Sequence, residues 1–165
     1  CYLTTASNLR RSGNSIEKME ASVLSKNPHL KKIFSQAGNW RSDPVTISQI
    51  SFANKTQVEN HLLMVGDAAG MITPLCGNGM SMAFHGSKIA ANLITQFLNQ
   101  HISRDSMEAN YTLQWQQHFS RRLRVGRQIQ QLAGHPQLTS LVLNLGTVFP
   151  RLFQSLVRQT HGKPF

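Results

Sequence analysis

The sequence predicts an α/β chain with few strands and a helix-dominated second half. Three features carry that expectation: short or alternating apolar runs that stop before Gly66, a loop rich in Gly and Pro from Gly66 to Asn78, and apolar spacings of three and four from Gly79 onward. With 165 residues, 40% of them apolar, the chain is long enough for one domain with a core, and a second full domain is not expected.

Tyr2 to Leu9 is rich in Thr and apolar residues and reads as the end of a strand, closed by a turn at Ser12-Gly13-Asn14. A sheet is therefore expected to begin before residue 1. Ile16, Met19 and Val23 have helical spacing with Glu17 and Glu20 near the start, and Asn27-Pro28 should end that helix. A second short helix runs from Pro28 to Gln36 and stops at Gly38-Asn39. Val45 and Ile47, then Ile50 and Phe52, alternate as a strand with an irregularity near Gln49, before a polar stretch from Asn54 to Asn60. Leu62-Leu63-Met64-Val65, bounded by Gly66, is short enough to favour a buried strand over a helix.

Ala83, Ile89, Ala90, Leu93, Ile94, Phe97 and Leu98 give a helix from Gly79 to about Gln100. From Arg104 the positions Met107, Tyr111, Trp115, Phe119 and Leu123 step by four, and Ile129 and Leu132 continue the face to Gly134-His135-Pro136. Leu138, Leu141, Val142 and Leu145 make a further helical face ended by Gly146; Leu152, Phe153, Leu156 and Val157 make a last one begun near Pro150.

The formal net charge is +10, and no acidic residue follows Glu108, whereas Arg121, Arg122, Arg124, Arg127, Arg151, Arg158 and Lys163 all do. Such a surface can attract nucleic acid, anionic lipid or phosphorylated substrates, or can be solvated helix faces matched by an acidic partner. A non-enzymatic basic helical module that binds nucleic acid or anionic membrane is the alternative this charge supports, but it leaves the Gly66 to Gly79 segment unexplained. No apolar stretch reaches the length of a membrane span. Cys1 and Cys76 form no C-x-x-C pair, so a reducing, cytoplasmic setting is expected and no disulfide framework. The chain starts Cys1-Tyr2-Leu3 without an initiator Met and reads as a fragment. No H-E-x-x-H, P-loop ending or G-x-S-x-G is present, and no metal is expected.

The informative segment is strand, loop and helix: LLMVGDAAGMITPLCGNGMSMAFHGSKIAANLI. A strand delivers Gly66-Asp67 at its C-terminal end, where α/β proteins place ligands, and Asp67 is the sole acid between Glu59 and Asp105. A lone carboxylate there needs donors, such as ribose or ribityl hydroxyls or backbone N–H groups. Gly77-Asn78-Gly79 opens a helix whose unpaired N–H groups and positive dipole end would face a ligand, with glycines allowing close approach. Pro74, Met71, Ile72 and Leu75 would form a dry wall. Together these residues describe a site for a large planar ligand carrying a polyol and partial negative charge, and a flavin fits it.

This stretch resembles the second FAD-binding motif of the flavoprotein hydroxylase and geranylgeranyl reductase superfamily, with G-D-A-A-G, then Pro, then G-x-G; the spacing T-P-L-x-G-x-G looks most like the geranylgeranyl reductase branch. The resemblance implies the C-terminal fragment of a three-layer FAD/NAD(P)-binding fold. Residues 1–60 would end a substrate-domain sheet with surface helices, 61–103 would be the FAD motif, and 104–165 a helical C-terminal region. It further implies FAD as cofactor, with Asp67 holding a ribityl hydroxyl, Gly66, Ala68 and Ala69 near the ribityl and pyrophosphate, Gly77, Asn78 and Gly79 at the pyrimidine edge, Pro74 beside the ring, and Gly70 and Met80 also among the cofactor-binding residues. No G-x-G-x-x-G is present, so the unit that anchors the ADP half of FAD is expected upstream. The expected partners are a hydrophobic, prenyl- or lipid-like substrate, an electron donor such as NAD(P)H, and the missing dinucleotide-binding half. Peripheral membrane contact also fits, and nucleic acid is not expected. His85 and Cys76 read as structural, and Trp40 could stack on a base or ring.

Overall fold

The computed structural model describes residues 2–36, 45–48, 50–133 and 135–161, in two compact units divided after Ile50. The expected helix stop at Gly38-Asn39, the irregularity at Gln49, the stacking role of Trp40 and the break at Gly134 lie outside the described residues, as do the side chains of Leu138, Leu152, Phe153 and Leu156.

The first unit holds α1 (Ala6–Arg11), α2 (Ile16–Ser22) and α3 (Pro28–Gln36). Residues 6–11 are helical, so the strand expected from Tyr2 to Leu9 is corrected. The β-branched pair Thr4-Thr5 that suggested it lies before the helix, Thr5 being extended (φ −87°, ψ 146°), and the residues inside the helix have no β-branch. Gly13 and Asn14, at φ 67° and 60°, then reverse the chain. Ser15 caps α2, its hydroxyl accepting from Lys18 N at 3.2 Å and donating to Glu17 Oε2 at 2.8 Å. The Ser15 hydroxyl, and after it the Glu17 backbone, hold the Glu17 carboxyl below its ordinary value. Among the described residues of this unit Met19 is the buried apolar one, while Tyr2 donates to Glu20 Oε1 at 2.9 Å and meets Phe34 edge-on. The strand expected from Val45 to Ala53 is not formed at the described positions. Val45 is 98% exposed and Ile47 80%, so no packing rewards the extended backbone.

The second unit begins with a hairpin. β1 (Val58–Glu59) pairs antiparallel with β2 (Leu62–Leu63), in the register Val58 to Leu63 and Glu59 to Leu62. Asn60 and His61 both take left-handed backbone (φ 49° and 64°), the twist that matches a two-residue hairpin turn. The apolar run after His61 is thus a short strand, and the polar stretch before it contains the partner. Leu62 is 63% exposed and Leu63 half-buried, so β2 is not the fully buried strand expected.

Two long helices, α4 (Gly79–Leu98) and α5 (Arg104–Ala133), carry the core. Met82, Ile89, Ala90 and Leu93 of α4 pack with Met107, Tyr111, Trp115 and Phe119 of α5, and the intervening loop adds Ala69, Ile72 and Cys76. The step-by-four pattern is therefore the buried seam of α5. Further along, α6 (Pro136–Val148) and α7 (Pro150–His161) pack against α5 and each other. α6 runs through Gly146, correcting the expected stop there; the break falls at Phe149, next to Pro150.

Gly70 is closely packed in the core. A methyl built there would lie 2.5 Å from Trp115 Cη2 and 3.1 Å from Leu123 Cδ1, distances that packed side chains cannot accommodate without movement. Gly70→Ala should therefore destabilise the fold by about 1–3 kcal/mol, read as a lowered urea midpoint; an unchanged midpoint would mean that Trp115 is loosely held.

Candidate cofactor site

The chain reaches the site through Met64 and Val65, both half-buried. Met64 is fixed twice: its N–H donates to Gln57 O at 2.8 Å, and its carbonyl accepts from Tyr111 Oη at 2.5 Å. Burial of Tyr111 pushes its phenol up to about 12, so it remains a donor throughout the physiological range. Gly66 then turns with φ 62°, and Gly66–Ala68 form a 3-10 turn closed by Ala69 N to Gly66 O at 3.1 Å. Asp67 and Ala68 are exposed. The Asp67 backbone carbonyl accepts from Lys55 Nζ at 2.7 Å, which pins the main chain and leaves the carboxylate at the surface.

Gln57 is the hidden organiser of this turn. It is buried, and its Nε2 donates to Lys55 O at 2.6 Å and Ala69 O at 3.1 Å while its Oε1 accepts from Gln116 Nε2 at 3.2 Å. A buried amide satisfied on both ends fixes the loop, the turn and α5 together.

The second half of the site is held from the far end of the chain. Thr73 is buried and its hydroxyl bonds Gln130 Oε1 of α5. Pro74–Cys76 form another 3-10 turn, ended by Gly77 in the left-handed region at φ 66°. Asn78 is buried with its Nδ2 donating to the Thr160 carbonyl of α7. That bond removes Asn78 from capping: α4 starts without a side-chain cap, and its first ladder bond is Met82 N to Asn78 O at 3.1 Å. The N–H groups of Gly79, Met80 and Ser81 precede that bond and carry the positive end of the helix dipole.

Of the residues the sequence singles out, Gly66, Asp67, Ala68, Pro74, Gly77, Gly79 and Met80 are exposed or half-exposed, whereas Ala69, Gly70 and Asn78 are buried in the scaffold. The two halves meet: a Cβ at Gly66 would lie 3.6 Å from Ala83 Cβ on the first turns of α4. At Gly77 and Gly79 an added Cβ would meet nothing within 4 Å. Gly77 needs its backbone freedom, but neither packing nor a positive φ within this chain demands glycine at Gly79. Open space beside uncapped amides and a surface carboxylate fits a planar, polyol-bearing ligand such as FAD.

Sequence reasoning did not reach Gln57, Thr73, Tyr111, Gln130 or Thr160 as site supports. No local signal marks them as such: Gln57, Gln130 and Thr160 lie in polar stretches, Tyr111 reads as one more core position, and their partners are remote in sequence. His85 and Cys76 are buried as expected for structural residues. Burial raises the Cys76 thiol, which keeps it protonated and unreactive. His85 stacks near His118 (ring centroids 4.5 Å apart) and Phe119 (5.2 Å). Burial first, then His118, Arg122 and Lys88, lower its pKa from the ordinary 6.5. Among the described residues, no group of three or more His, Cys, Asp or Glu could hold a metal, and no helix is long and apolar enough to cross a membrane.

A glycine turn thus lies beside an uncapped helix start, and comparison with known proteins gives the family. Residues 5–127 match the family model of squalene epoxidase, and the chain belongs to that family, whose members are FAD-dependent monooxygenases. An uncharacterized protein of Methanocaldococcus jannaschii is 34% identical over 83 residues, half of this chain. Conditioned medium factor receptor 1 of Dictyostelium discoideum is 46% identical over 46 residues, 28% of this chain. The matched regions span 20% and 9% of the lengths of these two relatives. No solved structure matches.

The His85 environment gives a pH dependence. Because its folded pKa lies below the unfolded one, the unfolded chain takes up more protons once the pH falls below 6.5. Stability should thus fall as the pH drops through that value and on to the folded pKa, and His85→Gln should flatten this part of the curve. Urea midpoints between about pH 7 and pH 5 check this; identical slopes in both proteins would contradict it.

Proposed function

We propose that this chain forms the ribityl and isoalloxazine side of the FAD site in a flavin-dependent monooxygenase acting on a hydrophobic, lipid-like substrate. The observation that carries the reading is the start of α4, where Asn78 is committed to Thr160 and open space lies over Gly77 and Gly79. Family membership supports the cofactor.

In this reading the Asp67 carboxylate accepts from a ribityl hydroxyl, and the backbone of Gly66, Ala68 and Ala69 runs beside the ribityl and pyrophosphate, with Gly70 behind it against Trp115. The amides at Gly79 and Met80, with Gly77 and Asn78 shaping the approach, meet the pyrimidine edge, and Pro74 borders the ring. The helix dipole favours negative charge at that edge. When bound, the flavin supplies the redox chemistry, and the protein supplies position and polarity. The match to an epoxidase family favours oxygenation over the reductase reading.

The fold proposed for the whole protein is the three-layer FAD/NAD(P)-binding type, in which a separate dinucleotide-binding unit holds the ADP half and NAD(P)H serves as electron donor. Exposed Leu141, Leu145, Val148, Phe149 and Val157 on α6 and α7, with Arg151 and Arg158 nearby in sequence, support peripheral contact with an anionic membrane from the cytoplasmic side. No nucleic-acid role is proposed, since the basic-module reading gives no reason for glycine at Gly79.

The test uses the full-length natural protein and its visible flavin absorbance. Asp67→Ala should weaken flavin binding about tenfold or more. Gly79→Ala should do likewise through steric exclusion, yet change fold stability by no more than about 1 kcal/mol. Wild-type affinity in both variants would overturn the reading.

A further inference from the structure

A cavity of about 240 Å³ opens on the α5 side of the Ala69-Gly70 turn, and Gly66, Asp67, Gly77, Asn78 and Gly79 are not among its lining residues. It lies between the 52–57 segment and α5, with Trp115 on one wall. Its charged lining residues are Lys55, Arg124 and Arg127, with no acid among them.

The hydrogen bonds of these cations sharpen the imbalance. Arg127 Nη1 donates to Asn54 Oδ1 at 2.6 Å and to Phe52 O at 3.4 Å, and Lys55 Nζ donates to Asp67 O at 2.7 Å. These acceptors are neutral oxygens, which orient the cations without cancelling their charge. Arg124 makes no hydrogen bond or ion pair among the described residues. Three cationic side chains therefore line one concave space whose lining holds no acid. Lys55 and Arg124 are exposed and Arg127 half-buried, so solvent and salt screen the field in part, but like charges lining one concave space still favour an anion.

We infer that this cavity is an anion site for a phosphate-bearing small molecule, distinct from the proposed flavin cradle. A single carboxylate would leave two of the three cations unmatched, whereas a diphosphate carries charge to meet all of them and accepts the forked donation of arginine. Size agrees: a cavity of about 150 Å³ admits benzene, so this one admits roughly ten non-hydrogen atoms, close to a diphosphate group. Ser120 and Gln116 on the same wall offer a hydroxyl and an amide to the remaining oxygens. Lys55, Ala69 and Gly70 border both this cavity and the proposed flavin cradle, whereas Arg124 and Arg127 are assigned no part in holding the flavin, so Arg124→Gln separates the two readings.

Binding to the full-length natural protein is read by isothermal titration calorimetry. The protein is titrated with inorganic diphosphate, NADPH, FAD, riboflavin and a hexaglutamate peptide at low and high salt. Diphosphate or a phosphate-bearing dinucleotide should bind, salt-sensitively, and Arg124→Gln should weaken that binding about tenfold. The tighter of the free and dinucleotide probes identifies the source of the phosphate. Arg127→Gln should act in the same direction but also loosen the 52–57 segment, so Arg124→Gln is the decisive variant. Arg151→Gln with Arg158→Gln, away from the cavity lining, should leave binding unchanged. The inference is overturned if no phosphate compound binds at millimolar concentration. Binding of equal strength in the Arg124→Gln and parent proteins overturns it too, as does a response to hexaglutamate alone.

Discussion

Trp115 occupying the space that Gly70 vacates is the contact on which the site depends. The indole lies against the turn that carries Gly66 to Gly70, meets Phe119 at 5.2 Å between ring centroids, and stands 3.7 Å through its Nε1 from where a Cβ of Gly86 would be. One side chain of α5 thus touches both the glycine turn and α4. Interiors packed to crystal density transmit such constraints rigidly, so the spacing between turn and helix start is set by the size of this ring. Tyr111 above and Phe119 below extend the same ridge, both fully buried.

The polar contacts then aim what the apolar ridge has placed. Gln57 fastens Ala69 to α5, Thr73 reaches Gln130, and Asn78 reaches Thr160 on the last helix. Each is buried and satisfied, the condition under which a polar group orders a fold instead of weakening it. The Asn78 bond has a chemical consequence: Asn is among the best residues for closing a helix start, and here it is diverted to α7. The amides of α4 are left without a side-chain cap, in a chain whose family uses FAD.

The parts legible in the sequence were those written in local periodicity. The four-residue steps from Met107 to Phe119 gave the buried seam of α5, and Gly79 and Asn99 bound α4 close to where the pattern begins and fades. The loop between Gly66 and Asn78 announced itself by its glycines and Pro74. The hairpin was hidden because Asn60-His61 turns left-handed without the glycine that usually marks such a turn. α1 was hidden because Thr4-Thr5 gave a strand-like composition just ahead of it. Long-range polar ties leave no local trace: Asn78 and Thr160 lie 82 residues apart, Gln57 and Gln116 59 apart. The turn glycines Gly66 and Gly77 could be read from residue type, but the commitment of Asn78 to α7 could not.

The start of α4 is proposed as an amide cradle that a flavin completes. Hydrogen–deuterium exchange of the full-length protein with and without FAD tests it directly. The amides of residues 77–81 and of the 66–68 turn should exchange more slowly when FAD is present. Unchanged exchange in both segments, with protection confined to other parts of the protein, would contradict the account.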